Sequence, residues 1–416
     1  MVTTFYPPYH FGGDAIGVQR LSRALVRRGH HVTVVHNADA WRILSRAPEP
    51  PRASETAGLV VETIRTRIPR LACLVTQQTG RPGLYRRRVR RVLEHGRFDV
   101  INFHNVSLAF GPGVLAYGSA AKLYMAHEHW LVCPSHVLWR HNRELCTGRE
   151  CLRCVLHFRR LPQLWRSTGL LQRELRHVDT IIAMSRFSAL KHREFGLPRE
   201  MRVLPYFLPD PDGAPAPPLP APPRVHGRPF FLFVGRLETI KGLQDVIPLF
   251  REYEAADLLV AGDGPQEPSL RALAAGCPRI TFLGRVAPED LNAYYRDAIA
   301  LIAPSVCYET FGIILIEAFR QRTPVIARRL GPFPDIVETA RAGLLFSTRE
   351  ELMAAMTMLQ GDAAARARMA AAGYETYVEH WSESAVVPRY LDTAREAIER
   401  RHARMRGGPR AGEQAP

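Results

Sequence analysis

Two doubly wound α/β domains, each a parallel sheet flanked by helices, are what this sequence of 416 residues predicts. The chain is too long for one ordinary core, and a pair of domains is the natural division. Short β-branched and aromatic runs alternate with helical stretches in both halves, the pattern of parallel sheets. A proline-rich segment lies between the two series, where neither a helix nor a central strand can continue. At 46% hydrophobic and 23% charged, the chain is globular.

The first domain is expected over residues 1–205. It opens with a short strand, VTTF (2–5), and a loop carrying Pro7, Pro8, Gly12 and Gly13. In the helix that follows, Ile16, Leu21, Ala24 and Leu25 form the apolar stripe, Arg20, Arg23, Arg27 and Arg28 the polar face, and Gly29 closes the helix. HVTVVH (31–36), DVINFH (99–104), KLYMAH (122–127) and TIIAM (180–184) are the next strands. Each ends in a polar or flexible stretch, where parallel sheets place their sites. A linker is expected over 206–229 and a second domain over 230–380, with strands FFLFVG (230–235), DLLVAG (257–262), RITFLG (279–284), AIALIAPS (298–305) and PVIA (324–327). Helices packing back toward the first domain (381–405) and a disordered tail (406–416) complete the chain.

Charge is unevenly divided. Residues 1–210 carry 32 Lys and Arg against 15 Asp and Glu, whereas 211–416 carry 24 against 25. The whole excess therefore sits in the first domain, densest at Arg86, Arg87, Arg88, Arg90 and Arg91. A solvated helix face and an anionic partner both fit, the partner being a lipid headgroup or membrane surface, a diphosphate-linked acceptor or nucleic acid. No helix-turn-helix, RNA-binding aromatic motif or zinc-finger spacing accompanies the charge, so nucleic acid is set aside. No apolar run approaches the ~20 residues of a membrane span. The opening MVTTFYPPYHFGG lacks the layout of a signal peptide, which predicts a cytoplasmic protein that can touch the membrane from its inner face.

Chemistry concentrates in PSVCYETFGIILIEAF (304–319). There a loop with Glu309, Phe311 and Gly312 leads into a helix bearing Glu317. Gly312 allows close backbone approach, and the N–H groups that open the helix favour an anion. Carboxylates repel phosphate, so Glu309 and Glu317 are expected to accept hydrogen bonds from hydroxyls. Either one alone reads as a surface or packing residue; it is the assembled pattern that points to a site. VGRLETIKG (234–242) places Arg236 and Lys241 on one strand-to-helix loop, a planar fork and a mobile point charge suited to a diphosphate. VAGDGP, with Gly264, and FLGRV, with Gly284, Arg285 and Val286, add two glycine turns at strand ends.

In this combination and order the chain resembles glycosyltransferase family 4, retaining transferases of the GT-B fold, over essentially its whole length. The resemblance implies that Arg236 and Lys241 neutralise a donor diphosphate, helped by the backbone N–H groups of Phe311, Gly312 and Ile313. It implies that Glu309 binds hydroxyls of the donor sugar, Glu317 the ribose, and the Gly284–Arg285–Val286 stretch the base. His127 matches a position beside the transferred sugar, and Gly12 and Gly13 would close over the phosphates. The donor would be UDP- or GDP-linked and the acceptor a glycan or a lipid-linked intermediate in cell-surface polysaccharide or glycolipid synthesis, with no cofactor required for catalysis. The chain departs from the family pattern at Arg322, where glycine is usual, and at Asp335, where glutamate is common. Its first strand is also expected to be short, since relatives carry several residues ahead of VTTF. A nucleotide-sugar epimerase of the same fold and a non-catalytic partner-binding protein are the alternatives.

Within an insertion at about 130–160, Cys133, Cys146, Cys151 and Cys154 are spaced C-x12-C-x4-C-x2-C. Thiolates clustered this way predict a structural zinc site on the acceptor side, since disulfides are rare in cytosolic chains.

Overall fold

The computed structural model describes residues 1–45, 48–51, 57–210 and 225–406. Most of the expected linker (211–224) and nearly all of the expected tail (407–416) lie outside these residues. The chain divides into two compact units: Met1–His136 with Glu150–Leu204 and the chain from Val387 on, and Val137–Arg149 with Pro205–Val386.

In the first unit, β1 (Val32–Asn37) pairs in parallel with β2 (Leu59–Ile64), and β3 (Val100–Phe103), β4 (Ala121–Ala126), β5 (Thr180–Ala183) and β6 (Met201–Val203) form a parallel ladder in that order. The expected first strand shrinks to Val2, which bridges Val35 on one side and Phe103 on the other. Its ladder bonds are nevertheless made: the Val2 N–H donates to the Asn102 carbonyl at 2.8 Å and the Thr3 N–H to that of Val35 at 3.0 Å. Val2 therefore lies where the strand order reverses, between β1 and β3. Every residue of β4 is buried, as a strand covered on both faces requires. Even Lys122 lies inside, donating from Nζ to the Leu115 carbonyl at 2.8 Å, and burial lowers its ammonium to about 8.

Helix α1 (Gly13–Arg27) packs Ala15, Val18, Leu21 and Leu25 inward at helical spacing while Arg23 and Arg27 stay exposed. Complete burial of each leucine is worth roughly 1.5–3 kcal/mol. Three more helices of this unit matter below: α2 (Ala38–Leu44), α3 (Pro69–Thr79) and α4 (Arg86–His95). The arginine run lies on α4, with Val89 and Leu93 turned inward and all five arginines exposed.

The second unit holds a six-stranded parallel sheet. Its strands are β7 (Phe230–Val234), β8 (Asp257–Ala261), β9 (Ile280–Gly284), β10 (Leu301–Ala303), β11 (Val325–Arg328) and β12 (Gly343–Phe346), in the order β9-β8-β7-β10-β11-β12. The chain reverses direction across the sheet between β7 and β10, and the crevice beyond the carboxyl ends of such a pair is where open α/β sheets bind ligands. β2, β6 and β12 were not anticipated. β2 is the most exposed of these three and lacks a continuous apolar run, and the other two are short.

The zinc expectation finds no support in the arrangement of the described side chains. Among the described residues no group of three or more His, Cys, Asp or Glu side chains is arranged to hold a metal ion. Cys133 is buried with its sulfur 3.3 Å from the Ser135 hydroxyl, Cys146 donates to the Gly148 carbonyl at 3.2 Å, Cys154 is buried and Cys151 is exposed.

Candidate active site

The two loops at the switch point of the second unit carry the expected charges. Lys241 ends the loop after β7, and Glu309 lies in the loop after β10. Gly242 sits in the left-handed region at φ +74°, where a Cβ would stand 2.0 Å from the Pro304 carbonyl oxygen. That close approach draws the two loops together, and the Val306 N–H donates to the Ile240 carbonyl at 2.9 Å. Lys241 Nζ consequently donates to Glu309 Oε1 at 2.6 Å, and the Ser305 hydroxyl donates to the same oxygen at 2.9 Å.

Burial works against the Lys241 ammonium, but Glu309 and its acidic neighbours outweigh it and hold the lysine above its ordinary range. Burial likewise raises Glu309, and the charge and hydrogen bond of Lys241 overcome it, so the carboxyl is held low. Both groups stay ionised at neutral pH. With 26% and 21% of their side chains exposed, the pair also stays within reach of a solute.

Helix α5 (Ile313–Arg320) starts immediately beyond this pair. Gly312, its N-cap at φ +117°, could not accept a Cβ, which would meet the Phe333 ring at 2.5 Å. It supplies no capping side chain, and the first turn has no acidic residue. The opening N–H groups of α5, beginning at Ile313, thus have no side-chain cap within the helix and present the positive end of its dipole. Phe311 is buried against Trp381, with ring centroids 6.5 Å apart, which anchors the turn.

The remaining expected residues take up flanking places. Arg236 lies on the Lys241 loop with its guanidinium 2.7 Å from Glu238 and half exposed. Glu317, one turn into α5, accepts from the Tyr295 hydroxyl at 3.0 Å. Gly264 lies in the turn after β8, and its carbonyl accepts from the Glu267 N–H at 3.1 Å. Gly284 closes β9, followed by Arg285, which reaches Asp263 at 3.2 Å, and by half-buried Val286. Arg322 occupies a left-handed turn at φ 58° and lays its guanidinium over Tyr374 at 3.8 Å, which accounts for an arginine in a glycine position. Asp335 lies in the first turn of helix Phe333–Ala340, where an acidic residue suits the helix dipole.

In the first unit, Gly12 is the N-cap of α1 and Gly13 its first residue. His127 follows β4 and is 8% exposed, with Nε2 2.8 Å from Nδ1 of His104 at the end of β3. His104 Nε2 in turn lies 3.2 Å from the Met1 sulfur. Burial lowers His127 to about 4 and His104 well below the ordinary histidine value, so both imidazoles are neutral. With its proton on Nε2, toward the thioether sulfur, His104 would accept at Nδ1. In that arrangement His127 donates from Nε2. His104, Ser305 and Tyr295 were not singled out from the sequence. Each acts through a partner on a different element, and a linear motif does not show such pairing.

A family model described as glycosyltransferase family 4 matches residues 11–209, and one described as glycosyl transferases group 1 matches 228–362. The chain belongs to glycosyltransferase family 4. Among related proteins, the phosphatidyl-myo-inositol mannosyltransferase of Mycobacterium leprae is 33% identical over 41% of this chain and 49% of its own length. The D-rhamnosyltransferase WbpZ of Pseudomonas aeruginosa is 34% identical over 42% and 47%. The alignments thus span about half the length of these curated relatives. Sucrose-phosphate synthase from Thermosynechococcus elongatus superposes with a TM-score of 0.70 at 21% identity, covering 94% of both chains. HepE from Anabaena, solved with UDP-glucose, gives 0.63 at 16%, covering 95% of this chain and 99% of its own. At such identities the likeness establishes the GT-B fold.

Proposed function

We propose that this chain is a retaining glycosyltransferase that moves a sugar from a UDP- or GDP-linked donor to a glycan or lipid-linked acceptor. The observation that carries this reading is the Lys241–Glu309 pair beside the open end of α5, at the switch point of the second sheet. A diphosphate needs cations and N–H donors aimed at the charge that develops as it leaves. Lys241, Arg236 and the N–H groups at Phe311, Gly312 and Ile313 are the residues for that task. Glu309, held ionised by Lys241, is an acceptor for sugar hydroxyls, and Glu317 for the ribose. The Gly284–Val286 stretch and the Gly264 turn would flank the nucleoside, and Gly12 and Gly13 would approach the phosphates. Neutral His127 suits a sugar hydroxyl.

Retention follows if the acceptor attacks the face the diphosphate leaves, with the departing phosphate oxygen taking the acceptor proton. No resident metal is needed for such a step. Among the described residues no helix is long and apolar enough to cross a membrane. The basic first unit favours an acceptor presented at the inner face of a membrane.

The test is a panel of UDP- and GDP-sugars incubated with purified protein, with nucleotide release measured alone and with lipid-linked acceptors. Turnover of one donor is expected, falling about 10²- to 10³-fold in Lys241→Ala and Glu309→Ala, the usual cost of removing a charge-stabilising group. Proton NMR of the product should show the donor's anomeric configuration. Undiminished turnover in both variants refutes the site, and an inverted product refutes retention.

A further inference from the structure

Eight of the sixteen large apolar side chains that stay exposed among the described residues fall in two short stretches of the first unit. Ile68, Leu71 and Leu74 form a stripe at three-residue spacing along the outer side of α3, and Leu84 continues it in the turn before α4. The inner side of α3 is supplied by Ala72 and Thr76, so the helix has a second apolar face with no core to fill. Leu152, Leu156, Leu161 and Leu164 form the other stretch, Leu164 being 63% exposed. The two stretches are tied into one surface. Gln78 donates to the Pro162 carbonyl at 3.1 Å, and the Trp165 indole donates to the Gln77 carbonyl at 2.9 Å.

The charged residues within these two stretches have one sign, though Arg65, Arg88 and Arg90 pair with Glu49, Glu62 and Glu94 outside them. Residues 63–93 contain nine arginines and residues 151–173 five, with no aspartate or glutamate in either stretch. Arg67, Arg70, Arg81, Arg86 and Arg87 are all exposed. Aliphatic side chains rimmed by arginine suit the boundary between lipid headgroups and acyl chains, where the leucines leave water and the guanidinium groups meet phosphate. A second copy of the same face would set arginine against arginine. Nucleic acid would call for exposed rings to stack on bases, and the exposed large apolar residues here are all aliphatic.

We infer that α3, the Leu84 turn, the start of α4 and the Leu152–Leu164 stretch form a docking surface for an anionic lipid bilayer. The surface stands on its own residues and gives the proposed lipid-linked acceptor a place of encounter.

The experiment is co-sedimentation of the full chain with vesicles of phosphatidylcholine alone or mixed with phosphatidylglycerol. Binding is expected to the mixed vesicles only and is expected to disappear near 1 M salt, where the screening length falls to about 3 Å. Arg86→Glu with Arg87→Glu should weaken partitioning at least about 25-fold, from about fivefold per arginine. Leu71→Ser with Leu74→Ser should weaken it about tenfold. Both variants should keep wild-type melting temperature and vesicle-free donor turnover. Equal binding to neutral vesicles, no binding to anionic ones, or wild-type binding by both variants overturns the surface. So does lipid-free self-association that Leu71→Ser with Leu74→Ser abolishes, which would assign the face to a second copy. A wild-type chain that turns over a donor but binds no anionic vesicle defeats this proposal alone, whereas one that binds anionic vesicles without donor turnover defeats only the donor reading.

Discussion

The two sheets of this chain place polar groups by one rule and equip them in opposite ways. Each presents its special residues where strand order reverses: the loops after β7 and β10 in the second unit, and the ends of Val2 and β3 in the first. The second unit puts an ionised pair there, Lys241 with Glu309, partly open to solvent beside an uncapped helix. The first puts two buried, neutral imidazoles there, His104 with His127. A charge kept by a partner can meet a diphosphate without prior proton transfer, while a neutral imidazole can hold a sugar hydroxyl without attracting phosphate. On the function proposed above, the contrast would give charge handling to one unit and orientation to the other.

The sharpest way to break that contrast is at the ionised pair. Glu309→Gln keeps the shape and removes the charge, and its donor turnover should fall by about 10² or more. A loss under about threefold would remove charge handling from this pair. His104 comes next. His104→Leu leaves the His127 Nε2 proton without its acceptor and should cost about 10- to 100-fold in turnover, the scale of a misplaced reacting group. His104→Gln, whose carbonyl still accepts, should restore most of it. Nitrogen-15 shifts of His127 should report protonated Nε2 in wild type and an altered tautomer balance in His104→Leu, and the opposite tautomer in wild type would reverse the assignment.

Acidification sharpens the comparison further. His36, His127 and His192 are each lowered by burial from 6.5 to about 4, so the unfolded chain binds more protons than the folded one between those values. Their contribution to stability is complete above about pH 6.5 and is lost as pH falls toward 4. Glu309, also lowered, contributes above its unfolded value of 4.5 and begins to fail only below it. Hydrogen exchange should therefore show β1 and β4 of the first unit losing protection at higher pH than β7 and β10. Simultaneous loss would mean that the buried histidines do not set the acid limit. The smallest effect is expected from a chelator, which should leave the melting temperature unchanged because no three candidate ligands among the described residues are arranged to hold a metal. A fall of several degrees would restore the metal expectation.

The loops of the candidate site were open to reading because Lys241, Glu309, Gly312 and Glu317 lie in contiguous stretches at the ends of apolar strands, and strand ends in parallel sheets are where sites form. Ser305 and Tyr295 escaped notice because their role exists only through Glu309 and Glu317, partners supplied by folding. The arginine run was equally plain, yet its apolar companions were not. Ile68, Leu71 and Leu74 have the spacing of a core-facing stripe, and periodicity alone does not tell which side of α3 meets the protein.

By itself, the sequence determined two parallel α/β sheets, the family, the basic first half and the composition of the donor loops. These are properties of local order, carried by alternating apolar runs, glycines and charges a few residues apart. Tertiary structure decided that Lys241 and Glu309 meet at 2.6 Å, that His104 and His127 face each other at 2.8 Å, and that leucines from two distant stretches stay exposed on hydrogen-bonded neighbours. Such contacts join residues far apart along the chain, and only packing brings them within reach.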